Sequence, residues 1–488
     1  MDKNLTALKP ALVWKHFAAI TQVPRPSFHE EKIRAYVLDT VRSFGLECRE
    51  DGAHNVYARK PASRGMENRC GVILQAHLDM VPQKNNDKEF DFRTDPIEAY
   101  VDGEWVTANG TTLGADNGIG VAAILAVLED DTLEHGPIEA LFTATEETGM
   151  EGAFGLKKGV LEGDILLNLD SETEGELYVG CAGGLDANVR FGYAAEPVPA
   201  QGYTAAKITV KGLKGGHSGI QIVCQRANAN KLLFRLLRRW GAAHELLLCS
   251  VDGGGLRNAI PREAAATVAV RKEEFDAFVG EVRAFEAAMR SEFAGIEEEI
   301  SIVAAACESP KEMIARDVQQ SLIRAVTACP DGLQRMSLAM PGLVQTSTNL
   351  ARVVSDGRTV QLQALLRSSV NSEKEALGDA MSALFELAGA EVELSGSYDG
   401  WNPNMDSPIL KAMTESYERL YGRRPAVMAI HAGLECGVIG GVYPNLDMIS
   451  FGPTICYPHS PDEKVEIASV AKFYEFLLHT LKHVPVKA

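Results

Sequence analysis

No stretch of this 488-residue chain approaches the roughly 20 consecutive apolar residues needed to cross a bilayer, so no membrane span is expected. The opening residues, Met1-Asp2-Lys3-Asn4-Leu5-Thr6, lack the basic flank and apolar core of a secretory signal, and a cytoplasmic location is expected. Cysteine is sparse: nine residues, an odd number, with no Cys-x-x-Cys. That pattern argues against a disulfide framework and for reduced thiols. Cys181, Cys224 and Cys329 read as small buried hydrophobes. Positive charge is in deficit, 48 Lys and Arg against 66 Asp and Glu, for a formal net charge of −18. This argues against nucleic acid and anionic membrane surfaces as partners. What remains, 46% hydrophobic and 23% charged residues, is the composition of a folded globular enzyme. The chain is too long for one core, so two or three domains are expected.

Helical spacing of apolar residues runs from Leu12 to Phe44, around Trp14, Phe17, Ile20, Ile33, Tyr36, Val37 and Val41. It is interrupted by the stiff loop Val23-Pro24-Arg25-Pro26-Ser27, where Ser27 is placed to cap the second helix. Strands and helices then alternate from Val72 to Asp170, which predicts an α/β sheet. The segment Gly118 to Leu128 is small and apolar nearly all round, hence a buried helix able to press closely on that sheet. Near Gly180 to Gly192 the character changes, and the first pattern resumes around Tyr398-Asp399-Gly400-Trp401. A catalytic domain made of residues 1–186 and 396–488, interrupted by an inserted domain over 187–395, follows. Within the insert, Asn258-Ala259-Ile260-Pro261-Arg262 leads into a strand, a helix and a strand, and Asn349-Leu350-Ala351-Arg352 leads into the same series. This predicts two α+β modules in tandem.

Five segments carry metal-ligand side chains where strands should end: Gln75-Ala76-His77-Leu78-Asp79, Gly114-Ala115-Asp116-Asn117-Gly118, Thr145-Glu146-Glu147-Thr148, Asn168-Leu169-Asp170-Ser171-Glu172 and Tyr457-Pro458-His459-Ser460. Three of them follow the apolar runs Val72-Ile73-Leu74, Ile138 to Phe142 and Ile165-Leu166-Leu167. The carboxyl ends of such buried strands form the crevice where α/β sheets bind ligands. Two His and three or four carboxylates gathered there suit two zinc-class ions bridged by a carboxylate. Residues two apart on a strand share a face, so Asp79 can accept the imidazole proton of His77 that points away from a metal. Glu146 and Glu147 are adjacent and cannot share one direction; one can ligate while the other stays free to carry a proton. Asp116, flanked by glycines, lies where tight backbone would let one carboxylate bridge two ions. A phosphate loop is rejected, because Gly114-Ala115-Asp116-Asn117-Gly118-Ile119-Gly120 fits neither dinucleotide nor Walker spacing and its Asp would repel phosphate. A cysteine nucleophile is disfavoured, as only Cys456 stands near a candidate His.

Taken as a set, these segments resemble the co-catalytic zinc peptidases of the aminoacylase/carboxypeptidase clan, and within it the bacterial aminoacyl-histidine dipeptidases. The likeness extends from Trp14-Lys15-His16-Phe17 and Pro24-Arg25-Pro26-Ser27-Phe28-His29-Glu30-Glu31 to Gly452-Pro453 and His459. It implies a catalytic domain with a central mixed sheet flanked by helices, and an inserted lid domain of two ferredoxin-like modules. It implies two zinc ions, with manganese or cobalt as alternatives: His77 and Asp170 on one, Glu147 and His459 on the other, Asp116 bridging. Glu146 becomes the general base, Asp79 the residue that orients His77, and the peptide after Asp116 is cis. The clan often has a second Asp at the next position; here it is Asn117. In the insert, Lys214-Gly215-Gly216-His217-Ser218-Gly219 is similar to the family's oxyanion-steadying His loop. Asn258 resembles its substrate-side amide, and Arg367 the guanidinium that grips a terminal carboxylate. His431 to Gly437 resembles a pocket loop whose Glu435 meets a free amino group. The implied activity is hydrolysis of Xaa-His and other unblocked dipeptides through a water activated by two zinc ions. Pairing of two chains through the lid domain is a further expectation. An amidase or deacylase of N-acyl amino acids would use the same catalytic set with a different pocket. A catalytically silent binding protein would have lost Glu146 or a ligand, and neither is lost.

Overall fold

The computed structural model describes residues 4–487, which divide into two compact units. One holds the residues up to Cys181, Pro403–Ala429 and those from Leu434 onward; the other holds Ala182–Asn402 and Ile430–Gly433. The cuts thus fall after Cys181 and Asn402, where the sequence suggested 186 and 395.

The first unit is built on an eight-stranded sheet. Its centre is four neighbouring parallel strands, Ile138–Thr143, Val72–His77, Ile165–Asn168 and Asp447–Ser450. Val72–His77 is buried at every residue, as a parallel strand covered on both faces must be. Val56–Lys60 and Glu47–Glu50 extend the sheet antiparallel on one side. Glu176–Cys181, antiparallel to its neighbour, and Ala426–Ile430 complete the other side, so the sheet is mixed, as expected. Because the four central strands run the same way, their carboxyl ends share one edge.

The helix Ala115–Glu129 is buried along nearly its whole length, as its apolar composition predicts. It approaches the sheet closely at Gly120, where a Cβ would lie 2.1 Å from Asn117 Oδ1 and 2.5 Å from the Leu169 carbonyl oxygen. Glycine is required there. At its start Asp116 and Asn117 have non-helical dihedrals and the peptide between them is cis. Helix Ala11–Ile20 packs against it, with the buried Phe17 ring beside Gly118. The next helix, Glu31–Ser43, has Glu30 as its N-cap residue and no side-chain cap. The capping role expected of Ser27 is therefore not found: instead of accepting a helix N–H, its hydroxyl donates to the charged acceptor Asp79 Oδ2 at 2.8 Å.

The second unit is one nine-stranded sheet with helices sharing a single apolar core with it. Strands Ser301–Ala306, Tyr203–Lys211, Ala264–Arg271 and Leu246–Gly254 are adjacent in that order, and Ala229–Trp240 and Phe275–Glu292 are their helices. Strands Val344–Ser355, Thr359–Ser368, Gly183–Gly192 and Glu391–Tyr398 follow, with helices Arg316–Ala328 and Asn371–Leu387; Gly332–Met336 pairs at the side of Val344–Ser355. Each group has the βαββαβ order of a ferredoxin-like module. The modules are not in tandem, however. The second takes its first strand, Gly183–Gly192, from before the first module, which is thereby nested inside it. Antiparallel pairing of Asp252–Gly254 with Arg352–Val354 joins them into one sheet. Of the three cysteines expected in the core, Cys181 and Cys329 are buried. Cys224 is exposed, because Ile222 anchors its short 3-10 turn instead.

Candidate active site

His77 ends its strand, and in the parallel register Thr143 lies beside it while Asn168 lies beside Gln75. The residues just past these ends, Asp79, Glu146, Glu147 and Asp170, are therefore delivered to one edge by backbone pairing alone. Asp116 enters from the irregular start of its helix. His459 enters from a loop in which it has φ of 59°.

His77 Nε2 lies 3.0 Å from Asp116 Oδ1 and 3.3 Å from Asp170 Oδ1. His459 Nε2 lies 3.2 Å from Asp116 Oδ2 and 2.9 Å from Glu147 Oε2. Asp116 thus turns one oxygen to each imidazole. The ligand atoms cluster as His77/Asp116/Asp170, as Asp116/Glu147/His459, and as His77/Glu146/Glu147. Glu147 belongs to a group with His459; Glu146 does not.

Asp79 lies beyond the strand end, so the strand-face argument does not place it; His77 Nδ1 is 3.1 Å from its backbone carbonyl oxygen and 3.3 Å from its Oδ1. Asp79 is fully buried and also accepts the amides of Glu146 (Oδ1, 3.0 Å) and Glu147 (Oδ2, 3.2 Å). One carboxylate therefore orients both the imidazole and the two glutamates, a second task the sequence did not suggest.

Burial disfavours a charged His77, but Asp170, Asp116 and Asp79 outweigh it and raise the imidazole well above its ordinary value. Hydrogen bonds that His459 donates to the Asp116 and Glu147 carboxylates push its imidazole up to about 11. Against the cost of burial, those two imidazoles hold Asp116 below the usual carboxylate range. Burial raises Asp170 to about 6. It also raises Glu146 well above its usual value, with Asp170, Glu435 and Glu147 adding to the effect of burial. This is the signature of a site whose charges want a cation. An imidazole nitrogen and a carboxylate oxygen both carry lone pairs, and they approach to about 3 Å only with a proton or a metal between them. Asp170 Oδ1 is buried without a hydrogen-bond partner. Imidazole nitrogens and carboxylate oxygens are the donors that zinc-class ions take, so the residues present fit divalent metal.

Glu435, expected in a pocket wall facing a substrate amino group, is instead completely buried at the start of helix Glu435–Val442. Its Oε2 accepts from Gln75 Nε2 at 2.6 Å and from Thr143 Oγ1 at 2.8 Å, inside the sheet edge. Asn168 Nδ2 extends the network to Gln75 Oε1 at 2.5 Å. The helix that follows is apolar and draws its first turn inward. Burial pushes Glu435 up to about 8.

In the second unit, His217 sits on the short strand Gly216–His217, paired with Ala259. Its Nδ1 accepts amides from Gly219 (3.2 Å) and Ile220 (3.1 Å), which places the proton on Nε2 and leaves that atom a donor. Burial and then Arg367 lower its pKa, favouring the neutral ring. Asn258 is exposed, next to Ala259. Arg367, on Thr359–Ser368, is buried, with Nη1 3.3 Å from the Tyr398 hydroxyl and Nε without a hydrogen-bond partner. His431 is buried and contacts Ser347 Oγ through Nε2 at 2.7 Å; burial and then Arg367 push it down to about 3.

Sequence reasoning passed over Arg25, Glu463, Gln75 and Asn168. The signals were a charge between two prolines for Arg25 and polar side chains in or beside apolar strands for Gln75 and Asn168; Glu463 left none.

The chain matches the model of "Peptidase family M20/M25/M40" over residues 73–483. It is 46% identical over 484 residues to the cytosol non-specific dipeptidase of Escherichia coli (strain K12), spanning 99% of this chain and all of that protein. The crystal structure of aminoacylhistidine dipeptidase from Vibrio alginolyticus superposes with a TM-score of 0.95 at 47% identity, covering 99% of both chains. Aminopeptidase PepT from Bacillus cereus shares the fold at 16% identity, with a TM-score of 0.57 over 98% of this chain and 99% of that one. With its strand-end imidazoles and carboxylates set as described, the chain belongs to the M20/M25/M40 peptidase family.

Proposed function

We propose that this chain is a metal-dependent dipeptidase that hydrolyses unblocked dipeptides, Xaa-His among them, with two zinc ions at the strand-end site. The observation that carries this reading is the division of the Asp116 carboxylate, Oδ1 toward His77 and Oδ2 toward His459. The names borne by the Escherichia coli and Vibrio relatives support the substrate class. The word cytosol in the first supports the same location here; among the described residues no helix is long and apolar enough to cross a membrane.

In this reading His77, Asp170 and Asp116 would hold one ion, and His459, Glu147 and Asp116 the other. Bound divalent metal would supply Lewis-acid polarisation of a peptide carbonyl and make water acidic enough to attack near neutral pH. Glu146 takes the proton of the attacking water on its carboxylate and returns it to the departing amine. Asp79 keeps the His77 proton on Nδ1 and holds the Glu146 backbone in place. The family resemblance implies the remaining roles: His217 Nε2–H donates to the oxyanion, Asn258 offers its amide to the substrate, and Arg367 pairs with the terminal carboxylate.

The test is turnover of β-Ala-His, Gly-Leu, a tripeptide and an N-acetyl amino acid, before and after chelation and with zinc restored. Both dipeptides should be cleaved, only with metal. Equal hydrolysis of the N-acetyl amino acid, or undiminished activity after complete metal removal, would refute the proposal.

A further inference from the structure

Asp116 is the side chain common to both halves of the ligand cluster, so whatever fixes its backbone fixes both at once. Two buried charges converge on that backbone from opposite chemical sides. Arg25 is 3% exposed, and its Nη1 donates to the carbonyl oxygens of Leu78 (3.0 Å) and Asp79 (2.8 Å) while Nη2 donates to the carbonyl of Gly114. Glu463 is 2% exposed; its Oε2 accepts the amides of Leu113 (2.7 Å) and Gly114 (2.9 Å), and its Oε1 those of Ala115 (2.7 Å) and Asp116 (3.3 Å). A guanidinium has donors only and a carboxylate acceptors only, so the two cannot exchange places. The glycines agree: a Cβ at Gly114 or Gly118 would lie 2.6 or 2.7 Å from Arg25 Nη2. Arg25 also ties the loop after His77 to the loop of Asp116, and Glu463 ties the segment after His459 to it.

We propose that Arg25 and Glu463 are positioning residues that clamp the 113–116 backbone from its carbonyl and amide sides, so that Asp116 presents one oxygen to each half of the site. This rests on the two-ion reading above. The clamp is built from backbone contacts and touches neither substrate nor reacting atoms, so it acts by positioning: Glu463 through the Asp116 loop, and Arg25 through that loop and the backbone of Asp79.

Cobalt(II) titration of the metal-free full chain, followed by absorbance and calorimetry, tests it without recourse to activity. Glutamine at 463 offers one acceptor oxygen in place of two, which strands about two of the four amides. Glu463→Gln and Arg25→Lys should each weaken both cobalt equivalents tenfold or more with far-ultraviolet dichroism unchanged, the range set by removal of residues that orient metal ligands. Glu463→Asp, which keeps the charge, should recover part of the loss. The double variant should lose less than the product of the single losses, because both act on one loop. Should Glu463→Gln not fold, Arg25→Lys carries the same expectation. Wild-type affinity for both equivalents in Glu463→Gln overturns the clamp. So does loss of one equivalent with a spectrum matching His459→Ala, since Glu463 would then act through its own loop. A wild-type protein binding fewer than two equivalents would overturn the two-ion reading, and the clamp with it.

Discussion

Replacing Glu146 by Gln separates the two adjacent glutamates by function. Glu147 Oε2 lies 2.9 Å from His459, whereas Glu146 clusters only with His77 and Glu147. On the proposed two-ion reading, each ion would keep its imidazole, its own carboxylate and a share of Asp116 without the Glu146 carboxylate. The amide is nearly isosteric, and the Glu146 backbone remains held by Asp79 Oδ1. Metal content should therefore stay at the wild-type level and KM should change little. What disappears is the group able to accept a proton from water and pass it to the leaving amine. Positioned general bases contribute about 10²–10⁴ in rate, or roughly 3–5 kcal/mol of activation free energy. Steady-state turnover of β-Ala-His, together with elemental analysis of dialysed protein, reads both quantities. If zinc is lost in proportion to activity, Glu146 is a ligand and the roles of the pair are reversed. If kcat falls less than about tenfold, the proton passes through some other group.

Asp116→Ala should release both ions together; elemental analysis showing one tightly held equivalent would argue against a bridge. Arg367→Ala should erase most of the preference for a free over an amidated dipeptide C-terminus, a discrimination of about 1.5–3 kcal/mol in kcat/KM. A variant that still discriminates like wild type would place the carboxylate elsewhere. His431 is pushed down to about 3, below its ordinary 6.5. Below pH 6.5 the unfolded chain therefore binds a proton that the folded chain refuses, and stability falls as pH drops toward 3. At pH 5 the loss reaches about 2 kcal/mol. His431→Gln should flatten the fall in Tm between pH 6.5 and 4; an unchanged slope would remove His431 as its source.

The strand-end ligands were legible because burial leaves a pattern: an apolar run that stops at His77, or just before Asp170, has little reason to end on a ligand other than a site. The buried helix after Asp116 was legible for the same reason. Arg25 and Glu463 were not, since they recognise backbone amides and carbonyls, which every residue possesses and no spacing encodes. Ser27 met two acceptable partners, a helix amide and a carboxylate distant in sequence, and only the fold decides between them. Glu435 looked like part of a loop because His431-Ala432-Gly433 precedes it, while the apolar helix behind it governs its burial. The nested modules were hidden because strand Gly183–Gly192 pairs with partners far along the chain, and pairing at that range leaves no local mark.

That nesting has a consequence for the nascent chain. Gly183–Gly192 is synthesised about 170 residues before Thr359–Ser368, its hydrogen-bonded neighbour. At ribosomal rates of about 5–20 residues per second, the strand waits on the order of 10–30 seconds with both edges unsatisfied. The inner module, complete by Ala306, can close meanwhile. An unpaired strand of ten residues is a template for association with other chains. Asp186, Asn188 and Arg190 alternate with the apolar residues of this one, making it a poor template until its own partners emerge.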